Sequence, residues 1–130
     1  MNSVADVILT GEQAYGLFGF STSCAGDVNG DGYDDVIIGA PSFVNSDGSI
    51  GRVFLFLGSI NGLPSTPSSS VLPLSAEGSF GYFITSAGDV NNDGFSDILI
   101  AADQILSSNK IAAYVFGGSS SGISNNNLLW

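Results

Sequence analysis

The chain contains 130 residues and carries a formal net charge of -10, because 12 acidic side chains are set against only Arg52 and Lys110. This length suits one domain with its own core, and 44% hydrophobic residues with only 11% charged residues argue against disorder. The acidity excludes binding to nucleic acid or to an anionic membrane by charge. No apolar run approaches the length of a membrane helix, so no membrane insertion is predicted.

Predicted strands recur along the chain in two similar units. Phe18-Gly19 and Phe80-Gly81 begin the units, and the difference 80 - 18 gives a period of 62 residues. Each unit is predicted to contain a small-residue strand, a polar loop, two apolar strands and a short last strand. In the first unit the small-residue strand is 20–25 and the loop is 27–35. The apolar strands are 36–40 and 52–57, and the last strand is 71–72. The apolar strands lack helical periodicity and are hydrophobic on both faces. We therefore predict an all-β fold of four-stranded units that stack as blades of a β-propeller.

The polar loops of both units share the nine-residue pattern D-x-N-x-D-G-x-x-D, at 27–35 and 89–97. Alternate residues of a tight loop can direct oxygens towards one centre, and Ca²⁺ takes six to eight oxygens at about 2.3–2.6 Å. The glycine at position 6 permits the sharp bend. We therefore predict two calcium ions per chain. The predicted ligands are Asp27, Asn29, Asp31, the Tyr33 carbonyl and Asp35 in loop 1, and Asp89, Asn91, Asp93, the Phe95 carbonyl and Asp97 in loop 2.

An ordinary solvated turn is the alternative for each loop, since Asp, Asn and Gly are common turn residues. Duplication of the whole pattern favours calcium. The loops are not EF-hands, because that motif requires a Glu at position 12 and flanking helices. Position 12 is Ile38 in one loop and Ile100 in the other, and apolar strand residues lead up to it. Each loop is therefore predicted to be a calcium-clamped hairpin.

The order of these motifs resembles the FG-GAP repeat, which builds the β-propeller head of integrin α subunits. In the first unit the resemblance rests on Phe18-Gly19, the loop 27–35 and Gly39-Ala40-Pro41. The second unit keeps Phe80-Gly81 and its loop, but has Ala101-Ala102-Asp103 at the third motif. The resemblance covers nearly the whole chain. It implies the calcium ligands given above, a structural rather than catalytic role for calcium, and an extracellular or cell-surface location.

The resemblance also sets the predicted boundaries. Residues 1–16 are assigned to the outer strand of a preceding or neighbouring blade, residues 17–75 to the first FG-GAP blade and residues 76–130 to the second. Two stacked blades are expected to leave two apolar outer faces bare, so we expect the ring to close by homo-oligomerisation. With two blades in each chain, the closed ring is predicted to contain three or four chains. Residues 7–9 are predicted to complete a neighbour's second blade, where residues 128–130 stop short.

Two serine motifs resemble catalytic signatures. Residues 118–122 fit G-x-S-x-G, but that motif requires a triad histidine and the chain has none. Residues 107–110 fit S-x-x-K and have no partner motif. We therefore predict that the chain is not an enzyme.

Cys24, the single cysteine, is predicted to be a small buried residue. Four strand aromatics are predicted to lie in the core: Phe54, Phe56, Tyr114 and Phe116.

The predicted function is calcium-stabilised recognition or adhesion outside the cell, with a protein or a glycan as ligand. Two alternatives stay open. One is a minimal or engineered propeller fragment that self-assembles and has no ligand of its own. The other is an accessory part of a larger secreted enzyme. No signal peptide is predicted, because residues 1–3 provide neither a basic nor an apolar region. No ligand-binding residues are predicted, since propeller ligands bind on surface loops that carry no pattern of their own.

Overall fold

The computed structural model describes residues 6–74, 78–104 and 110–130, and within them the chain is built from β-strands. Seven strands occur in the order β1 (Ser21–Gly26), β2 (Asp35–Val44), β3 (Ile50–Phe56), β4 (Ser69–Val71), β5 (Ser79–Gly88), β6 (Asp97–Gln104) and β7 (Lys110–Phe116). A single turn of 3-10 helix covers Asn125–Asn127. No helix in this described part is long and apolar enough to cross a membrane. The all-β prediction is confirmed.

Repeat 1, the segment predicted as residues 17–75, has four antiparallel strands among its described residues. Strand β1 pairs with β2, β2 with β3, and β3 with the short β4. A bulge between Cys24 and Gly26 interrupts the β1–β2 register just before loop 1. These four strands follow the order predicted for the first unit, and the blade boundaries stay a prediction.

Repeat 2, predicted as residues 76–130, has three antiparallel strands in its described parts 78–104 and 110–130, with β5 paired to β6 and β6 to β7. A fourth strand is predicted for this repeat, but the structure has only an isolated antiparallel bridge between Phe116 and Leu128 at that place. The main chain of Leu129 and Trp130 also bonds to Val115. The C-terminal segment thus lies beside β7 as β4 lies beside β3.

The two repeats join edge to edge at one point and otherwise stack face to face. The edge contact is a parallel pair between Gly51 and Phe80. The main core lies between the stacked faces and contains Ile37, Val53 and Leu55 from repeat 1. Repeat 2 contributes Phe80, Ile84, Ile98, Ile100 and Phe116 to it. The predicted core aromatic Phe116 is fully buried, and Tyr114 packs against the edge of the same core.

The outer face of repeat 1 forms a second apolar cluster, made of Ile38, Ala40, Phe43, Phe54 and Phe56. Leu9 and Phe18 from the N-terminal segment cover part of it, and the Phe18 ring meets the Phe54 ring edge-on at 5.5 Å. The five cluster residues are buried within the chain itself. The expectation that both outer faces are bare is therefore wrong for repeat 1, because the chain folds its own N-terminal residues onto that face.

Two further expectations concern residues outside the core. Residues 7–10 have no regular secondary structure, and Leu9 packs on the repeat to which it is joined in sequence. The assignment of residues 1–16 to a neighbouring blade stays a prediction.

Cys24 is exposed, so its predicted burial is wrong. It lies on the same side of β1 as the exposed Thr22, because alternate residues of a strand face the same way.

Candidate functional site

Each predicted calcium loop connects two antiparallel strands at the same place in its repeat. Loop 1 lies between β1 and β2, where Gly26 pairs with Asp35, and loop 2 lies between β5 and β6, where Gly88 pairs with Asp97. The hairpin prediction is confirmed for both. Strand residues on each side fix the ends of the loop, so the polar residues between them are confined to one compact turn.

The backbones of the two loops adopt the same left-handed conformations. Position 6 has φ of 91° at Gly32 and 93° at Gly94. Position 4 has φ of 74° at Gly30 and 60° at Asn92. Positive φ favours glycine, and asparagine is the side chain that tolerates it best. The sequence difference at position 4 therefore leaves the loop shape unchanged.

Side chains at positions 1, 3 and 5 of loop 1 are linked by hydrogen bonds within the loop, and those of positions 1 and 3 share the Asp31 N–H. The Asp27 carboxylate accepts hydrogen bonds from the N–H groups of Asp31 at 3.0 Å and Gly32 at 2.8 Å. The Asn29 side-chain carbonyl accepts from the same Asp31 N–H at 3.2 Å, and its amide nitrogen donates to the Asp31 carboxylate at 2.9 Å. The structure therefore brings together the first three predicted ligands of loop 1.

Loop 2 repeats this arrangement. The Asp89 carboxylate accepts from Asp93 N–H at 3.0 Å and Gly94 N–H at 2.8 Å. The Asn91 side chain accepts from Asp93 N–H at 3.1 Å and donates to the Asp93 carboxylate at 2.8 Å. In both loops the position 5 carboxylate also accepts the N–H of position 7 at 3.0 Å. Two sequence copies have thus folded into two nearly identical sets of oxygen donors.

The aspartate at position 9 differs from the others because it is fully buried. One oxygen of Asp35 accepts the N–H of Val28 at 2.8 Å, and the other accepts the N–H of Gly58 at 2.8 Å. Asp97 makes the matching bonds to Val90 at 2.9 Å and Gly118 at 3.0 Å. Position 9 therefore ties its own loop to the chain that follows the third strand of the repeat, besides being a predicted ligand.

The acidic groups of loop 1 influence one another. Burial raises the pKa of Asp35 above its ordinary value, and the nearby charges of Asp31 and Asp27 raise the pKa further. The hydrogen bonds from Gly58 and Val28 act in the opposite direction but do not cancel the effect of burial. The charges of Asp31 and Asp27 thus act unfavourably on the charged form of Asp35, and a cation bound near all three would relieve that repulsion.

The chemistry of the donors fits a hard divalent cation, since each loop offers three carboxylates, an amide oxygen and main-chain carbonyls. The carboxylate oxygens accept main-chain N–H groups. In the part of the chain that the structure describes, no group of three or more His, Cys, Asp or Glu side chains is arranged to hold a metal ion. The oxygens at positions 1, 3 and 5 would therefore have to turn towards a common centre to bind one. Ligation by the Tyr33 and Phe95 carbonyls and by the predicted side chains of both loops stays a prediction.

Gly58 and Gly118 are site residues to which the sequence analysis gave no role. Their N–H groups bind the buried aspartates, and a side chain would not fit at either position. A Cβ at Gly58 would lie 2.3 Å from the Asp34 carbonyl oxygen, and one at Gly118 would lie 2.4 Å from the Ser96 carbonyl oxygen. The only sequence signal is that the two glycines recur at equivalent places in the repeats.

The G-x-S-x-G match at residues 118–122 is a turn. Gly122 N–H donates to the Ser119 carbonyl at 2.7 Å, and the Ser119 hydroxyl donates to the Gly122 carbonyl. Ser59 and Gly62 make the same two bonds in repeat 1. Ser120 is exposed at the tip of this turn. The second match, at 107–110, falls largely outside the described residues.

Comparison with known proteins agrees with these repeats. The sequence model of the FG-GAP repeat family matches residues 19–56 and 80–109. Integrin alpha-5 of Xenopus laevis is 39% identical over 119 residues, which cover 88% of this chain and 11% of that protein. Integrin alpha-IIb of Mus musculus is 34% identical over 113 residues, and integrin alpha-PS2 of Drosophila melanogaster is 34% identical over 124 residues. They cover 86% and 88% of this chain, and it spans 10% and 9% of their lengths.

The family match covers both repeats, and in each it includes the loop with the D-x-N-x-D-G-x-x-D pattern. The matched segments begin at the glycine of Phe18-Gly19 and at the phenylalanine of Phe80-Gly81, the two motifs that open the repeats. The described residues of both segments lie in the antiparallel units found in the structure. The chain belongs to the FG-GAP repeat family.

Proposed function

We propose that this chain is a calcium-stabilised β-propeller module for extracellular recognition or adhesion, with calcium in a structural role. Membership of the FG-GAP repeat family and the similarity to three integrin alpha chains support this proposal. The observation that carries it is the duplicated oxygen-rich loop, which has the same backbone and the same hydrogen bonds in both repeats. The chain spans about a tenth of the length of these relatives, so the activity of a longer parent protein is part of the proposal.

Each loop would hold one Ca²⁺ through positions 1, 3, 5 and 9 and the carbonyl of position 7. The ion supplies positive charge that neutralises the clustered carboxylates and fixes the loop between its two strands. Two ions would change the formal net charge of the chain from -10 to -6. Hydrogen bonds within the chain also fix the loops, because Asp35 and Asp97 accept the N–H of the glycine that follows β3 or β7. Calcium thus stabilises the repeat without taking part in a reaction.

No catalytic role is proposed. The Ser120 turn has the same hydrogen bonds as its counterpart in repeat 1, and a carboxylate that binds a cation is a poor general acid. The ligand would be a protein or a glycan, and it would bind on loops away from the buried aspartates. The minimal fragment without a ligand and the accessory part of a secreted enzyme are the competing possibilities.

The test is isothermal titration with CaCl₂ and thermal unfolding with and without EDTA. We expect two ions per chain and a lower melting temperature in EDTA, since a ligand at about 100 times its dissociation constant adds roughly 2.7 kcal/mol per site. Asp34→Ala is the matched control, because Asp34 is an exposed position 8 residue in the same loop. If EDTA leaves the melting temperature unchanged and the CaCl₂ titration gives no heat of binding, the calcium proposal is refuted. A glycan array and binding assays with extracellular-matrix proteins would then separate a recognition module from a ligand-free fragment.

A second proposal concerns the outer face of repeat 2, which contains Phe83, Leu99, Ala101, Ala113 and Val115. These residues lie opposite one another in the strand register and therefore share one face. Phe83 is 55% exposed, and Ile111 at the edge of the face is 76% exposed. The corresponding residues of repeat 1, 62 or 60 positions earlier, include Ile37, Val53 and Leu55, which repeat 2 covers completely.

We propose that the outer face of repeat 2 is covered by a second copy of this chain. The covering surface would be the outer face of repeat 1, because repeat 2 presents the equivalent residues to repeat 1 within the chain. Such head-to-tail contacts close into a ring of three or four chains if the rotation permits. Leu9 and its neighbours lie on that surface and would have to move aside or become part of the contact. A following blade of a longer parent protein is the competing occupant.

A further inference from the structure

The two loops touch each other across the boundary between the repeats. The main-chain N–H of Ser96, position 8 of loop 2, donates to the carbonyl oxygen of Asp27, position 1 of loop 1, at 2.9 Å. The ring of Phe95 lies against Gly30, where a Cβ would come within 2.9 Å of the ring. Positions 7 and 8 of loop 2 therefore form one wall of loop 1.

A third contact strengthens the same wall. Gly118, whose N–H binds Asp97, approaches the Val28 carbonyl so closely that a Cβ would lie 2.6 Å from that oxygen. The Val28 side chain is fully buried in the core between the repeats, whereas its counterpart Val90 is 45% exposed. Loop 1 is thus held by repeat 2 on this side. Loop 2 has no such support at Val90 from the described residues.

The two loops also differ at position 4, which is Gly30 in loop 1 and Asn92 in loop 2, and the contact with Phe95 accounts for this difference. A Cβ at Gly30 would press on the Phe95 ring at 2.9 Å, while Asn92 in loop 2 has a similar positive φ and carries a side chain. In loop 1 the contact and the positive φ both favour glycine, whereas in loop 2 the positive φ alone constrains the residue and asparagine satisfies it. The contact between the loops therefore coincides with one of the three positions, 4, 7 and 8, at which the two motifs differ in sequence.

We propose that the two loops are coupled, so that calcium in loop 2 raises the affinity of loop 1 for calcium and the reverse. The inference rests on the calcium function proposed above. The Phe95 carbonyl is a predicted ligand of loop 2, and the Phe95 ring and the next N–H are the groups that hold Gly30 and Asp27. An ion that fixes position 7 of loop 2 also orders the wall of loop 1, which lowers the cost of ordering loop 1 on binding. Linkage makes the effect reciprocal.

The test follows each loop separately by ¹⁵N NMR during a calcium titration. The amides of Gly32 and Gly94 are suitable probes, because each donates to the position 1 carboxylate of its own loop at 2.8 Å. Asp93→Ala removes a central carboxylate from loop 2 only. We expect the calcium affinity read at Gly32 to fall at least about fivefold in this variant, the lower end of typical coupling. Asn91→Ala serves the same purpose if Asp93→Ala does not fold.

Phe95→Ala tests the route of the coupling. This variant keeps the loop 2 carbonyl and removes the ring from Gly30, so we expect the affinity at Gly32 to fall. The matched control is Val90→Ala, which truncates a 45% exposed apolar side chain of the same loop and should leave the affinity at Gly32 unchanged. If neither glycine responds to calcium in the unmodified protein, the calcium function itself fails. If both respond but Gly32 titrates alike with and without an intact loop 2, the coupling alone is overturned.

Discussion

The main-chain N–H of Gly58 donates a hydrogen bond of 2.8 Å to the carboxylate of Asp35, 23 residues earlier in the chain. Asp35 begins β2, and Gly58 follows the end of β3. The bond therefore closes the end of the repeat at which the loop lies. Gly118 and Asp97 repeat it at 3.0 Å in the second repeat. Position 9 thus has a structural function that is independent of any metal.

We expect Asp35→Ala to destabilise the protein by about 2–4 kcal/mol even in EDTA. The variant leaves two buried N–H donors, those of Val28 and Gly58, without an acceptor, and each such loss costs about 1–3 kcal/mol. Urea unfolding followed by circular dichroism measures the change. Asp34→Ala, next to it but exposed, should remain within about 0.5 kcal/mol of the unmodified protein. A loss seen only in calcium would mean that Asp35 acts as a ligand alone.

Asp31→Ala and Asp93→Ala should behave in the opposite way. Each removes a carboxylate from an exposed loop position, so each should lower the melting temperature strongly in calcium and only slightly in EDTA. The expected loss approaches the stabilisation that calcium gives to that site, roughly 2.7 kcal/mol at about 100 times the dissociation constant. Differential scanning calorimetry in both buffers makes the comparison. Equal destabilisation in the two buffers would show that these aspartates only shape the turn.

Gly118→Ala should destabilise repeat 2 by about 3 kcal/mol, because its Cβ would meet the main-chain oxygens of Ser96 and Val28 at 2.4 and 2.6 Å. Main-chain atoms in a paired loop cannot move aside as a side chain can. The neighbouring Gly117→Ala is the control, since its Cβ would only approach the Leu129 side chain, at 3.3 Å. Chemical denaturation of the two variants should therefore give clearly different midpoints. Similar midpoints would contradict the close approach.

If a second copy covers the outer face of repeat 2, light scattering in calcium should show a discrete species of three or four chains of 13.2 kDa each. Ile111→Ser should weaken that species, because Ile111 lies at the edge of this face. Ile60→Ser is the control, since Ile60 is equally exposed but lies in a turn. A folded monomer at every accessible concentration would refute self-association and leave a following blade as the occupant.

The sequence determined the local features of this protein. The repeated D-x-N-x-D-G-x-x-D pattern identified both hairpin loops, because turn residues and left-handed positions act over a few bonds. The apolar runs identified the strands around them, because a strand needs only neighbouring residues of the right type. The family followed from the order of these motifs. All of these are properties of contiguous segments.

Only the tertiary structure decided which distant groups meet. The partner of Asp35 is an amide 23 residues away, and Ser96 reaches Asp27 from the other repeat. The covering of repeat 1 by Leu9 and the exposure of Cys24 likewise depend on which face of a strand another segment occupies. Residue type and spacing carry no information about such pairings when the groups involved are main-chain N–H and C=O. Every residue provides both groups, except that proline lacks the N–H. Close packing of the folded chain selects them.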